Sequence, residues 1–174
     1  MASHSSDQIL IAEYSGTTFF DGFDFFTEND PTNGYVNYVD QISAQSDGLI
    51  DMHDKAVFIG CDHTNTASGR GRNSVRITSK QNFTGGLFII DLVHMPSGCG
   101  TWPAFWTCGS SWPNNGEIDI IEGVNTQTDD ISTLHTSAGC DMSKEDSSLF
   151  TGKWNSAGDK NFTDCYVHAP GMCC

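Results

Sequence analysis

Apolar positions along this chain come in short alternating or clustered runs that Gly and Pro interrupt before a helix could form. Val75 and Ile77 alternate within 74–79, while Val57-Phe58-Ile59 and Leu87-Phe88-Ile89-Ile90 are compact clusters. No stretch free of Gly and Pro exceeds 15 residues, and apolar residues at i, i+3, i+4 and i+7 are nowhere sustained over a dozen positions. Short β-rich segments divided by turn residues predict an all-β sandwich. The Phe-rich run from Thr17 to Phe26 is expected to supply core rings to an early strand. No repeat, linker or shift in composition breaks the chain, so residues 1–174 read as one domain.

Composition narrows the partners. Lys and Arg number 8 and Asp and Glu 22, a formal net charge of −14. A surface that binds nucleic acid or an anionic membrane must carry the opposite sign, so both partners are set aside. A neutral polymer such as a polysaccharide is not. No apolar run approaches the ~20 residues that a spanning helix requires. The chain is expected to be a monomer.

The chemistry concentrates between Pro96 and Asn125. Asn115-Gly116 is a turn signal, and Glu117-Ile118-Asp119-Ile120-Ile121-Glu122 reads as the strand leaving it. Side chains alternate on a strand, so Glu117 and Asp119 share a face and Ile118 and Ile120 take the other. Strict alternation would put Glu122 with the isoleucines. A one-residue bulge at Ile120-Ile121 returns it to the face of Glu117 and Asp119, with isoleucines buried behind. The acid spacing alone would occur by accident roughly 0.3 times in a chain this acidic. Two further observations favour a site over a solvated acidic face. Three carboxylates on one face repel one another, and Trp102, Trp106 and Trp112 lie just upstream. Flat indoles are surfaces on which pyranose rings stack, although core packing is the default reading for any single one of them and the expected one for one of the three.

Segment 100–125 resembles the active-site strand of glycoside hydrolase family 16, in particular fungal endo-1,3(4)-β-glucanases of the laminarinase type. The family pattern E-[IL]-D-x-x-E is matched by Glu117, Asp119 and Glu122. The likeness extends over about residues 8–170 and includes Phe19-Phe-Asp-Gly-Phe-Asp-Phe-Phe26, Asp30-Pro-Thr-Asn-Gly34, Gly69-Arg-Gly-Arg-Asn-Ser-Val-Arg76, His94-Met-Pro-Ser-Gly-Cys-Gly100 and Leu134-His-Thr136. The resemblance implies a concave β-jelly-roll sandwich of the concanavalin A type whose cleft holds a β-glucan chain. It implies endo-acting hydrolysis of β-1,3/1,4-glucan, laminarin or mixed-linkage glucan, with retention of configuration. Glu117 would be the nucleophile, Glu122 the general acid/base and Asp119 the residue that tunes the nucleophile. Trp102, Trp106 and Trp112 are expected to contact sugar, and His135 to hydrogen-bond near the carboxylates. No cofactor is expected. Some members of the family bind calcium, but nothing in this sequence locates such a site.

Seven cysteines (61, 99, 108, 140, 165, 173 and 174) lack the paired spacing of zinc motifs. With two glycosylation acceptors, at Asn82 and Asn161, they point to a secreted glycoprotein with some disulfides. No signal peptide is visible at the start. The family pattern normally continues past Cys174, so C-terminal strands are expected to be missing. Two further readings follow: a non-catalytic or inactive glucan-binding sandwich, and a Cys/His metal-binding module around His53, His63 and His94. Gly69-Arg-Gly-Arg-Asn-Ser74 reads as a loop leading into the Val75 strand, not a dinucleotide site, and Asp129-Asp130 reads as a solvated turn.

Overall fold

The computed structural model describes residues 8–53 and 56–170. Packing divides the chain into two compact units, Met1–Val93 and His94–Cys174. Strands dominate both. Among the described residues the α-helical content is one helix of six residues, as the all-β pattern requires.

In the first unit, strands β1 (Phe23–Phe25) and β6 (Ile77–Ser79) pair antiparallel, as do β3 (Ile50–His53) and β4 (Ala56–Ile59). Strands β2 (Val36–Tyr38) and β5 (Arg72–Ser74) pair parallel. Helix α1 (Gln41–Ser46) starts at Asp40, whose side chain accepts the Ser43 N–H at 2.7 Å. That satisfies a backbone donor the first turn leaves open. The core gathers Phe20, Val39, Ala44, Leu49 and Ile50, with Phe25, Val75 and Ile77 against them. Gly71 stands where β5 runs past Tyr35. It holds φ at +133°, and a Cβ there would lie 2.1 Å from the Tyr35 carbonyl carbon, so only glycine permits this approach.

Three sequence expectations change here. The Phe-rich run is not a strand from its start: Gly16–Gly22 winds into a 3-10 helix, and only Phe23–Phe25 is extended. A strand would send Phe19 and Phe20 to opposite faces. The tighter turn lets Phe20 bury almost completely while Phe19 packs on the same core. Leu87–Ile90 forms no strand; no neighbour pairs with it among the described residues, and its side chains stay exposed. The segment after Gly69 becomes strand β5, which ends at Ser74, so Val75 lies between β5 and β6 rather than within a strand.

The second unit is built on a three-stranded antiparallel sheet in the order β7 (Ala104–Cys108), β8 (Glu117–Glu122), β9 (Thr133–His135). The β7–β8 loop closes with the Gly109 N–H donating to the Gly116 carbonyl at 2.9 Å. Gly116 takes φ +76°, which fits the Asn115-Gly116 turn signal. Farther on, β10 (Ser156–Ala157) and β11 (Lys160–Asn161) make a short hairpin. Two isolated bridges, Thr136 to Tyr166 and Asp141 to Asp164, complete the pairing.

Candidate active site

The register of β7 on β8 places the bulge expected from the sequence. Cys108 pairs with Glu117, Thr107 with Ile118 and Trp106 with Asp119; Phe105 then pairs with Ile121 and Ala104 with Glu122. Ile120 is the extra residue. Two residues of β8 oppose a single step of β7, so the alternation resets. Glu117, Asp119 and Glu122 consequently share one face, with Trp106 and Cys108 from β7 beside them. On the other side, β9 pairs His135 with Glu117 and Thr133 with Asp119, which adds both residues to that face.

Burial on β8 departs from the expectation at Asp119 and Ile118. Asp119 is buried, at 3% exposure, and Thr133 beside it at 2%. Ile118, on the opposite face, is half exposed and Ile120 and Ile121 are only partly buried, so the isoleucines are less buried than expected. A buried carboxylate needs a partner of opposite charge or good donors. His135 Nε2 lies 3.1 Å from Asp119 Oδ2, although that oxygen has no well-aligned hydrogen-bond donor. The pairing with Asp119 raises the imidazole above its ordinary value against the opposing effect of burial, and the charges of Glu117 and Glu122 add to it. His135 is thereby biased toward the cation.

Each glutamate is held by an indole. Trp112 Nε1–H donates to Glu117 Oε2, and Trp102 Nε1–H donates to Glu122 Oε1 at 2.8 Å. Both indoles remain about half exposed, which leaves ring surface to meet a ligand. Trp106, also predicted to contact sugar, is on the same face through its pairing with Asp119 and is partly buried. Burial pushes the Glu117 carboxyl above its ordinary value, and the charge of Asp119 pushes the same way; His135 and the Trp112 donor offset part of this. Glu122 is also raised, first by burial, with Trp102 opposing and Asp119 and Asp130 adding to it. Two carboxyls, each raised by its own set of neighbours, can divide acid and base roles.

The sequence reading missed Asp130. Instead of a purely solvated turn, its Oδ1 accepts the Glu122 backbone N–H at 3.1 Å, and the Ile131 N–H returns to the Glu122 carbonyl at 3.0 Å. The loop between β8 and β9 thus folds back on the end of β8. Spacing carries no signal for this contact, because it depends on the path of a loop.

Ligand atoms of Glu117, Asp119 and His135 lie within 4.8 Å of one another, close enough to hold a cation. An imidazole in the set suits a transition metal better than calcium, which prefers oxygen ligands throughout. His53 is instead paired with Asp51, 3.1 Å away, and among the described residues no metal-binding group forms around His53, His63 and His94. Both glycosylation acceptors, Asn82 and Asn161, are exposed. Cys61, Cys99, Cys140 and Cys165 are not bridged in the structure; Cys173 and Cys174 lie outside the described residues.

Known proteins share this arrangement of sequence and fold. The XgeA-like, catalytic GH16 domain model matches residues 23–174, spanning both units. A probable glycosidase of Schizosaccharomyces pombe is 51% identical over 161 residues, covering 92% of this chain and 36% of its own length. An endo-1,3(4)-β-glucanase of Arthroderma benhamiae is 51% identical over 139 residues, 79% of this chain and 30% of its own length. The chain therefore spans about a third of these curated relatives. Among solved structures, an elongating GH family 16 β-1,3-glucosyltransferase superposes with a TM-score of 0.79 at 43% identity, covering 91% of this chain and 52% of its own. Laminarinase 16A from Phanerochaete chrysosporium, with 6-O-glucosyl-laminaritriose in donor and acceptor sites, gives a TM-score of 0.70 at 47% identity, over 74% and 44% of the two chains. The all-β jelly-roll class expected from the sequence is the fold of these neighbours. Family match, identity and fold agree: the chain belongs to glycoside hydrolase family 16.

Proposed function

We propose that the protein is an endo-acting β-glucanase that cleaves β-1,3/1,4-glucan, such as laminarin or mixed-linkage glucan, with retention of configuration. The observation that carries this reading is the bulge at Ile120, which gathers Glu117, Asp119 and Glu122 on one face of β8. A retaining glycosidase needs two carboxyls about 5–5.5 Å apart, one ionised and one protonated at the start. Glu117 is the nucleophile. Burial and Asp119 raise its carboxyl on balance, while the His135 charge and the Trp112 N–H act the other way and favour the carboxylate that attacks the anomeric carbon. Glu122, biased toward its protonated form by burial and by the charges of Asp119 and Asp130, protonates the departing glycosidic oxygen. In the second half Glu122 takes a proton from water, which opens the glycosyl–Glu117 bond and restores the nucleophile. Asp119, paired with His135, orients and tunes Glu117. Trp102 and Trp112 offer ring surface to the sugar chain, and Trp106 contributes from β7. This two-carboxylate chemistry requires no cofactor.

The relatives named as glucanases and the laminarinase bound to glucan support the choice of substrate. The elongating glucosyltransferase at 43% identity favours a second reading of the same site, in which a sugar hydroxyl instead of water opens the intermediate. The setting proposed is extracellular, as a monomeric glycoprotein carrying sugar on Asn82 and Asn161. No helix among the described residues is long and apolar enough to cross a membrane.

The test is reducing-sugar release from laminarin and mixed-linkage glucan by this chain and by Glu117→Gln. Release lost in the variant supports the reading. Longer oligosaccharides formed with little net release would select transfer over hydrolysis. A folded wild-type chain that neither releases nor lengthens glucan would overturn both in favour of a binding role.

A further inference from the structure

The second unit contains a pair of thiols that the proposed catalysis does not use. Asp141 and Asp164 form an isolated antiparallel bridge, so Cys140 and Cys165, the residues just outside it, stand directly across from each other. The Cys165 N–H donates to the Cys140 carbonyl at 2.9 Å, and on the other side of the bridge the Met142 N–H donates to the Thr163 carbonyl at 2.9 Å. The two bonds flank the Asp141/Asp164 bridge, so 140/165 occupies a hydrogen-bonded position of the antiparallel register, joined here by one bond, and at such positions Cα atoms lie about 5.5 Å apart. Disulfides span Cα separations with a mode of about 5.5–6 Å. The two side chains also interact, since Cys140 hydrogen-bonds the Cys165 thiol. We infer that Cys140 and Cys165 are a disulfide pair, closed by oxidation.

Chemistry and placement support this assignment. Cys165 is 8% exposed, whereas Cys140 is only partly buried. Burial, reinforced by Cys140, pushes the Cys165 thiol up to about 12, and Cys140, the more exposed of the two, meets the oxidant first. With oxidised glutathione as oxidant, the Cys140 thiolate attacks one sulfur and expels glutathione thiolate. Cys165 then gives up its proton and attacks the Cys140 sulfur of the mixed disulfide, expelling the second glutathione. Two protein thiols are oxidised, one glutathione disulfide is reduced to two thiols, and both protons end on glutathione. The bond would staple the strand pair next to the active-site sheet. The Thr136 N–H donates to the Cys165 carbonyl at 2.8 Å, and Thr136 directly follows His135 on β9.

The experiment is disulfide mapping of the purified chain equilibrated with oxidised glutathione, alkylated and digested, and it does not depend on catalysis. The expected result is one cross-linked peptide joining Cys140 to Cys165, lighter by two hydrogens than the two reduced peptides together. The oxidised chain should melt roughly 6–12 °C above the reduced one, given the length of the loop that is closed, and Cys140→Ser should remove that difference. Both thiols alkylated after oxidation, or either one joined to a different cysteine, would overturn the assignment.

Discussion

Glu117 stands directly across the ladder from His135, yet the imidazole Nε2 lies against Asp119, one pair farther along the same face, at 3.1 Å. The cation therefore compensates the buried carboxylate while remaining close enough to stabilise ionised Glu117. This relationship sets a pH dependence. His135 is raised above its ordinary value of 6.5, so its contribution to stability is fully present below about pH 6.5 and is lost as pH rises through the higher folded value. His135→Gln should lower the melting temperature most at pH 5–6, with the gap from wild type closing toward alkaline pH. Melting curves across that range check it; a gap that widens with pH would contradict the pairing.

Glu122→Gln should slow laminarin cleavage by about 10²–10⁴-fold, the usual contribution of a positioned general acid. A β-glucoside with a nitrophenolate leaving group needs little protonation, so the variant should release a burst of nitrophenolate and then stall. A burst absent from Glu122→Gln but present in Glu117→Gln would reverse the two roles.

Trp102 and Asp130 should move the alkaline limb of kcat/KM in opposite directions. Activity falls as Glu122 loses its proton. Trp102→Phe keeps the ring but removes the N–H that favours the carboxylate, so Glu122 holds its proton longer and the limb shifts to higher pH. Asp130→Asn removes a like charge, so the limb shifts to lower pH. Profiles of kcat/KM for wild type and both variants test the pair, and shifts in the same direction would rule out the arrangement around Glu122.

Legibility from the sequence followed the range of the interactions. The β8 pattern could be read because alternation and a bulge are local rules acting on consecutive residues, and the register places Ile120 where those rules require an extra residue. His135 was placed near the carboxylates by resemblance, but its partner, Asp119, belongs to another strand. The indole donors were read only as stacking surfaces: composition shows a ring, not the direction of its N–H. Asp130 reaches Glu122 through a loop whose path no periodicity encodes. The same limit explains Leu87–Ile90, an apolar run with strand-like composition that pairs with no neighbour among the described residues. Propensity alone does not make a strand without a partner.

Phe20 should be the costliest side chain to truncate in the first unit. It is 1% exposed and packs against Phe19 and Phe25. Phe20→Ala should cost about 3–5 kcal/mol, the range for emptying a buried aromatic position, as a lower denaturation midpoint in urea. A loss below about 1 kcal/mol would mean that the site collapses without a cavity.

The bulge at Ile120 also acts as a constraint on inheritance. Adding one residue between Glu117 and Asp119 would turn one of these acids to the far face, and removing one would do the same. Loss of Ile120 itself would leave Glu122 facing inward and still opposite Ala104, because the bulge adds a residue without adding a step to the ladder. Descendants of this chain are therefore free to drift in the letters of β8 but not in the spacing of Glu117 and Asp119. Insertions are tolerable in the loop from Gly123 to Ser132 so long as its last turn still returns an acceptor to the Glu122 N–H.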